Sequence, residues 1–412
     1  MPIFESRGLV PGFQLGSLSD CAGVDWPSAR TPARSWHGRT WSMHEPRSIA
    51  VVTGSRADYG LLLPVIEAID RSPGLRMHLV ATGSHYHSRT PTIREIRDRW
   101  SDLVEAPGSI NSSDSMRAHA DSFFGIGIDL LDAFDRCDPG IVVVLGDRAE
   151  MLAAATAATL SGRQVAHIHG GDRAEGIADE SLRSAVSRLA HIHLAASEQS
   201  AERLERTGED PRRIHIVGSP AIDGLLAVPP MSDSDHAELG KPRIAFLMHP
   251  TGRDPVIESS EATGILEACR SVGQTVALAP NTDPGRSGIM DGIESAGFRP
   301  IEHMDRRRFL GLLRKVDLLV GNSSCGLIEA AAIGLRVLNL GPRQSGRERG
   351  SNVVSLEHWS DRDLAEAMSG AIEAGRCMDP HPWGDGRSGT RIAGILEGVD
   401  LEVPGYAKLN TY

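Results

Sequence analysis

The sequence predicts an α/β protein made of two Rossmann-like halves. Three observations carry that reading. Short apolar runs have the length of buried parallel strands, helical spacing separates most of them, and the pattern resumes after a Pro/Ser/Asp-rich break at 228–235.

The first strand is expected at 49–53 (IAVVT), which ends in Gly54 and leads into helical spacing over 61–69. Further strands are expected at 78–82, 141–145, 165–169, 192–196 and 214–217. Helical stretches at 115–134, 150–160, 181–189 and 197–206 lie among them. In the second half, strands are expected at 244–248, 275–279, 318–320 and 337–340. Helices are expected there at 258–272, 307–313, 326–333 and 363–374. Residues 1–47, rich in Pro, Ser, Gly and Arg, read as a flexible extension, with Met43 a candidate translation start. The expected domains are 48–220 and 221–395, hinged near 218–240, with a tail at 396–412.

Composition narrows the function classes. The 412 residues are 24% charged and 40% hydrophobic, a soluble globular profile, and only 4% aromatic, so aliphatic packing must build the cores. With 54 acidic against 43 basic residues the net charge is -11, which argues against a general nucleic-acid binder but not against a nucleotide ligand. The five cysteines are scattered and lack C-x-x-C spacing, which suits reduced thiols in the cytoplasm better than disulfides or zinc. No run of 18 apolar residues marks a membrane span, and the N-terminus lacks a signal-peptide pattern.

In open α/β sheets, ligands lie beyond the carboxyl ends of the strands, so polar residues there carry most weight. The segment 53–60 (TGSRADYG) joins a strand to a helix. It suits an anion at the helix N-terminus with Arg56 as partner, or is an ordinary turn with Asp58 as N-cap. Gly146-Asp147-Arg148 follows the strand at 141–145, placing a carboxylate and a guanidinium at a cleft, or a local ion pair. His167 and His169 alternate along one strand before Asp172, without a third ligand at metal-binding spacing. Asp179 and Glu180 open a helix that also carries Arg183; they read either as dipole caps or as a general base or acid. His249 opens the loop after the first strand of the second half, a place for phosphate contact or leaving-group protonation. The most informative block is 321–329 (GNSSCGLIE). There Ser323 and Ser324 can cap a helix and cradle a diphosphate, and Glu329 can accept from the cis hydroxyls of a ribose. Arg343 and Arg347 follow on a basic loop.

These blocks, in this order, resemble the hydrolysing UDP-N-acetylglucosamine 2-epimerases of sialic acid biosynthesis over about residues 48–395. The pieces that carry the resemblance are GSRADYG, LGDRAEM, HIHGGD with DESLR, GSPAID, LAPNTDPG, GNSSCGLIE and LGPRQSGRE. It implies a GT-B-like architecture, with UDP held mainly by the second domain and the reacting sugar in the cleft between domains. It places Arg56 and Ala57 near the uracil or diphosphate. His249, Asn281, Met304, Ser323, Ser324, Glu329 and Arg343 complete the UDP site by the same carry-over, and Asp147, Arg148, Asp179, Glu180 and Arg183 face the sugar. The implied chemistry needs no cofactor and no metal: a base removes the C2 proton as UDP leaves C1, giving a glycal that adds water. Asp147 with Asp179 or Glu180 is assigned the protons, and His249 the departing phosphate. A UDP-sugar partner, a homodimer and a cytoplasmic location are also implied, with neither nucleic acid nor membrane as partner.

Two departures from the family pattern bear on substrate choice. His169 and Asp172 stand where members often carry Glu, and Ser184 where they tend to carry His. Both are expected on the sugar side. They point to a related UDP-2-acetamido sugar, such as a deoxy-diacetamido sugar, or to another fate for the glycal. The competing readings are a GT-B glycosyltransferase, which product analysis with and without acceptors separates, and a non-catalytic UDP-sugar sensor, which would bind without turnover.

Overall fold

The computed structural model describes residues 45–87, 91–111, 113, 115–174, 179–281, 283–399, 408 and 411. The expected N-terminal extension, with Met43, lies outside the described residues except at 45–47. So does most of the expected tail.

Seven parallel strands form the first sheet: β1 (Arg47–Thr53), β2 (Leu75–Thr82), β3 (Val104–Ala106), β4 (Ile141–Leu145), β5 (Gln164–Ile168), β6 (Ile192–Ala195) and β7 (Ile214–Ile216). Their order is β3-β2-β1-β4-β5-β6-β7. Every residue of β4 and β5 is buried, as expected for parallel strands covered on both faces. Alternation along β1 shows both coverings. Ile49 and Val51 pack with Leu62, Ile66 and Ile69 on one face, whereas Ala50 and Val52 pack with Leu130, Phe134 and Met151 on the other.

The second sheet contains β8 (Ile244–Leu247), β9 (Thr275–Leu278), β10 (Leu318–Gly321), β11 (Arg336–Leu340) and β12 (Val353–Leu356), in the order β12-β11-β10-β8-β9, again parallel. Strands β3 and β12 escaped the sequence reading because short edge strands carry little apolar signal. So did the helices Ile93–Arg99, Arg286–Ser295 and Ser388–Gly398. The helix expected over 326–333 is broken into Ser324–Leu327 and Glu329–Ala332 at Ile328, whose φ of -103° and ψ of -73° interrupt the ladder.

The chain crosses between the halves twice. The second crossing ends in helix Ser388–Gly398, which the sequence reading assigned to the second half and tail. It packs Ile392, Ala393 and Leu396 into the core of the first sheet. Gly389 permits the contact, since a Cβ there would lie 2.4 Å from the carbonyl oxygen of Pro64. The two crossings touch: Ser219 N–H donates to the Trp383 carbonyl at 2.9 Å. Gly218 (φ 83°) and Gly384 (φ 89°) let the backbones meet, with a Cβ on Gly384 only 3.0 Å from the Gly218 Cα. Trp383 fills this junction, fully buried, and its indole donates to the Leu327 carbonyl at 2.6 Å.

Because the final helix belongs to the first core, Ile392→Ala is expected to destabilise the protein by about 2–5 kcal/mol in denaturant unfolding. A loss below about 0.5 kcal/mol would mean that the helix is peripheral.

Candidate active site in the cleft between the halves

Residues just beyond the strand ends of both sheets line one cavity of about 210 Å³. The first half contributes Ala57 and Asp58 after β1, Gly146, Asp147 and Arg148 after β4, and Asp179 and Arg183 from helix Asp179–Leu189. The second half contributes Asn281, Asp283, Ser324, Glu329, Arg343 and Arg347. The volume is below the roughly 300–1,000 Å³ typical of small-molecule sites.

Charge defines the cavity. Arg183, 4% exposed, is ion-paired with Asp147, yet its Nε and Nη1 have no hydrogen-bond partner among the described residues. Burial, then the neighbouring Arg347 and Arg343, work against its charge. A buried cation with two open donors beside two further guanidinium groups calls for an anion. Ion pairs also cross the cleft: Arg343 Nη2 lies 3.3 Å from Asp179 Oδ2, and Arg148 Nη1 lies 3.1 Å from Asp283 Oδ1. Burial raises the pKa of Asp179, against the pull of Arg343. Burial also pushes Asp283 up, but Arg148, His249 and Arg343 outweigh it and hold the carboxyl below its usual range.

Local folding sets these side chains. His167, on β5, bridges the Gly146 carbonyl (2.8 Å) and Ser187 Oγ (3.0 Å), fixing the turn that carries Asp147. Asp179 and Glu180 are neighbours on one helix, about 100° apart around its axis. Asp179 lines the cavity, whereas the half-exposed Glu180 turns toward the Ala174 N–H (3.3 Å) and Arg173.

Of the expected site residues, Ala57, Asp147, Arg148, Asp179, Arg183, Asn281, Ser324, Glu329 and Arg343 line the cavity. The others take different places. Arg56 is exposed and bonds His303 of the second half. Met304 packs against the core under the second sheet. Among those that line the cavity, Glu329 is buried and already receives Arg306 at 3.3 Å. Ser323 makes no side-chain cap bond, because the helix it precedes is a single turn. Its hydroxyl instead accepts from His249 Nε2 at 3.2 Å. His249 Nδ1 accepts the Asn281 N–H at 3.3 Å, and burial with Arg343 pushes this ring down to about 3. It is therefore a neutral hydrogen-bond donor in this form.

The departures divide: His169 lines the cavity, whereas Asp172 and Ser184 do not. Asp172 is 2% exposed and lies among protein donors rather than lining the cavity. His169 lines the cavity, but both ring nitrogens are engaged, Nδ1 with Asp172 at 2.7 Å and Nε2 with Ser219 Oγ at 2.9 Å. Ser184 is exposed on the outer face of its helix. Sequence reasoning missed Asp283, whose signal was its place in the LAPNTDPG block, and treated Asp58 only as a cap. Asp58 lines the cavity, accepts from Ser55 Oγ at 2.7 Å, and is pushed up to about 6 by burial.

The fold and cleft define a GT-B-like, two-lobed α/β protein with a buried cationic site facing carboxylates. The family model described as UDP-N-acetylglucosamine 2-epimerase matches residues 67–397, and the chain belongs to this family. It is 33% identical over 380 residues to a UDP-N,N'-diacetylbacillosamine 2-epimerase (hydrolyzing) of Legionella pneumophila, covering 89% of this chain and 100% of that one. It is 31% identical over 364 residues to a UDP-N-acetylglucosamine 2-epimerase of Neisseria meningitidis, covering 85% of this chain and 95% of that one. Two solved structures share the fold. The Neisseria meningitidis UDP-GlcNAc 2-epimerase bound to UDP-GlcNAc gives a TM-score of 0.66 at 19% identity, covering 85% and 99% of the two chains. The Methanocaldococcus jannaschii UDP-GlcNAc 2-epimerase in complex with UDP-GlcNAc and UDP gives 0.69 at 19% identity, with the same coverage.

Asp58 yields a pH test. Its folded pKa of about 6 exceeds the usual 3.8, so it binds its proton more tightly folded than unfolded. Its contribution favours folding below the unfolded value and is lost as pH rises through about 6. Asp58→Asn should therefore gain stability relative to the parent chain as pH rises from about 3 to about 7, on the order of 3 kcal/mol in urea unfolding. A pH-independent difference would contradict the assignment.

Proposed function

We propose that the chain is a hydrolysing 2-epimerase. It converts a UDP-2-acetamido sugar and water into UDP and the free C2-inverted sugar. The observation that carries this reading is the pairing of the underfilled Arg183, with Arg343 and Arg347 beside it, against Asp147 and Asp179 across one cavity. Cations that hold a departing diphosphate sit next to carboxylates that can move a proton.

The chemistry follows from what the substrate lacks. The C2 proton is not acidic, so its removal requires simultaneous loss of UDP from C1. A carboxylate takes that proton, the C2–H pair becomes the C1=C2 bond, and the C1–O pair leaves with UDP. Water then adds its oxygen to C1 while a proton returns to C2 from the opposite face. Preorganised guanidinium groups stabilise the charge that develops on the diphosphate. Arg183, Arg343 and Arg148 take that role in this reading. Asp179, raised by burial and released when the diphosphate occupies Arg343, serves as base, and Asp147 as its partner in proton transfer. Neutral His249 donates to the leaving group only by exchanging its bond to Ser323 for one to the diphosphate.

Within this reading the substrate is a deoxy-diacetamido sugar nucleotide. The Legionella pneumophila relative carries such a substrate in its name. The first half also offers Leu61, Met116, Leu145, Ala174 and Leu182 to the cavity, an apolar wall suited to a sugar that has lost hydroxyls. A homodimer, a cytoplasmic location and a step in a sialic-acid-type pathway complete the reading.

The test is proton NMR in deuterated water with UDP-N-acetylglucosamine and the UDP-diacetamido sugar as substrates. UDP release with deuterium at C2 of the free epimer is the expected result, faster for the diacetamido sugar. Release of UDP without deuterium would contradict the elimination. Asp147→Asn and Asp179→Asn should each retain UDP binding and lose roughly 10²–10⁴-fold in turnover, while Glu180→Gln stays within roughly tenfold of the parent chain. Normal turnover by either Asn variant would remove that residue from the chemistry.

A further inference from the structure

The second half sends two consecutive residues of opposite charge into the first. Arg347 and Glu348 follow Gly346, whose φ of 73° turns the loop inward. Both side chains are buried, with 8% and 6% of their residues exposed. Arg347 Nη2 donates to Asp172 Oδ2 at 2.6 Å, while its guanidinium lies 5.7 Å from the ring centroid of Trp383 at the hinge junction. Glu348 Oε1 accepts from Ser197 Oγ at 2.6 Å and from Arg203 Nη1 at 3.2 Å.

The socket is itself held together within the first half. Asp172 also accepts from Ser200 Oγ at 2.8 Å and pairs with His169, and Arg203 donates to the Gly171 carbonyl at 2.9 Å. On the other side, Gln344 of the same loop donates to the Asn322 carbonyl at 3.0 Å. Asn322 clasps the His249 backbone through both of its amide groups, at 2.7 and 2.9 Å. Arg343 directly precedes Gln344 on this loop and itself donates to the Asn322 carbonyl at 3.4 Å, so the seat of the plug bears on where Arg343 and His249 stand.

We propose that the Arg347-Glu348 pair is an interdomain plug, and that Glu348 is a positioning residue for the reaction in the cleft. Seated, the plug holds the two halves in the register that brings Arg343 opposite Asp179 and Arg183. This gives His169 and Asp172 a role: they build the socket rather than contact the sugar. Burial of oppositely charged groups, each paired across the junction with a charged partner of the first half, makes the seated geometry specific, since removing one member leaves a buried charge unpaired. The inference rests on the proposed UDP site for its functional consequence, but not for the plug itself.

Glu348 does not line the cavity, which makes it a clean probe. Removing a negative charge near an anion site should by electrostatics alone tighten binding of an anion. The plug reading predicts the opposite sign. Glu348→Gln should bind UDP about tenfold more weakly by calorimetry, with kcat for the UDP-sugar reduced by a similar factor. Its radius of gyration by small-angle scattering, without ligand, should exceed that of the parent chain at unchanged circular dichroism. A folded variant with equal or tighter UDP binding and an unchanged radius would overturn the proposal. If Glu348→Gln does not fold, Ser197→Ala removes one bond of the socket and should weaken UDP binding about threefold, and no weakening would again overturn it. If the parent chain binds no UDP, the proposed function fails, and the scattering comparison alone decides the plug: a wider variant supports it, and an identical one overturns it.

Discussion

A guanidinium buried without enough counter-charge is the constraint around which the cleft is organised. Arg183 projects from helix Asp179–Leu189 into a space where Asp147 supplies one partner and two of its N–H groups meet none. Hydrophobic cores on both faces of the first sheet hold that helix and the turn after β4 in place, so Arg183 cannot retreat to solvent. The strain of an underfilled buried cation is relieved by an anion, and the site is thereby preorganised for one. The cross-cleft pairs of Arg343 with Asp179 and Arg148 with Asp283 show the same demand being met, in part, by protein carboxylates.

That arrangement links binding to chemistry. In the proposed function, a diphosphate that takes Arg343 would free Asp179 on the opposite wall, relieving the proposed base of its cation as the leaving group arrives. The two halves meet at one junction. There Gly218 and Gly384 let two crossings of the chain touch, and Trp383 fills the junction beneath Arg347. In the proposed plug, the placement of Arg343 follows from one short loop, Pro342 to Glu348, and from the socket that receives it.

Much of this was legible in the sequence because of how parallel sheets are built. Strands covered on both faces must be apolar throughout, so runs such as 141–145 declare themselves, and the residues that follow them fall at the cleft. What was not legible depends on side-chain direction. Asp179 and Glu180 are chemically equivalent in a sequence, yet one helical step sends the first into the cavity and the second toward Arg173. His169 and Asp172 looked like altered sugar contacts, because nothing local shows that Arg347 arrives from 175 residues away to occupy Asp172. The return of helix Ser388–Gly398 to the first core was hidden for the same reason: its partner surface lies at the other end of the chain.

The central claim, that Arg183 is held in the cleft for the diphosphate, is tested most directly by titrating UDP into the parent chain and into Arg183→Met under identical conditions. The account predicts UDP binding by the parent chain, and a loss of roughly 100-fold in affinity for a variant that keeps its fold by circular dichroism. Equal affinity in the two proteins would contradict it and would mean that the anion, if one binds, lies elsewhere.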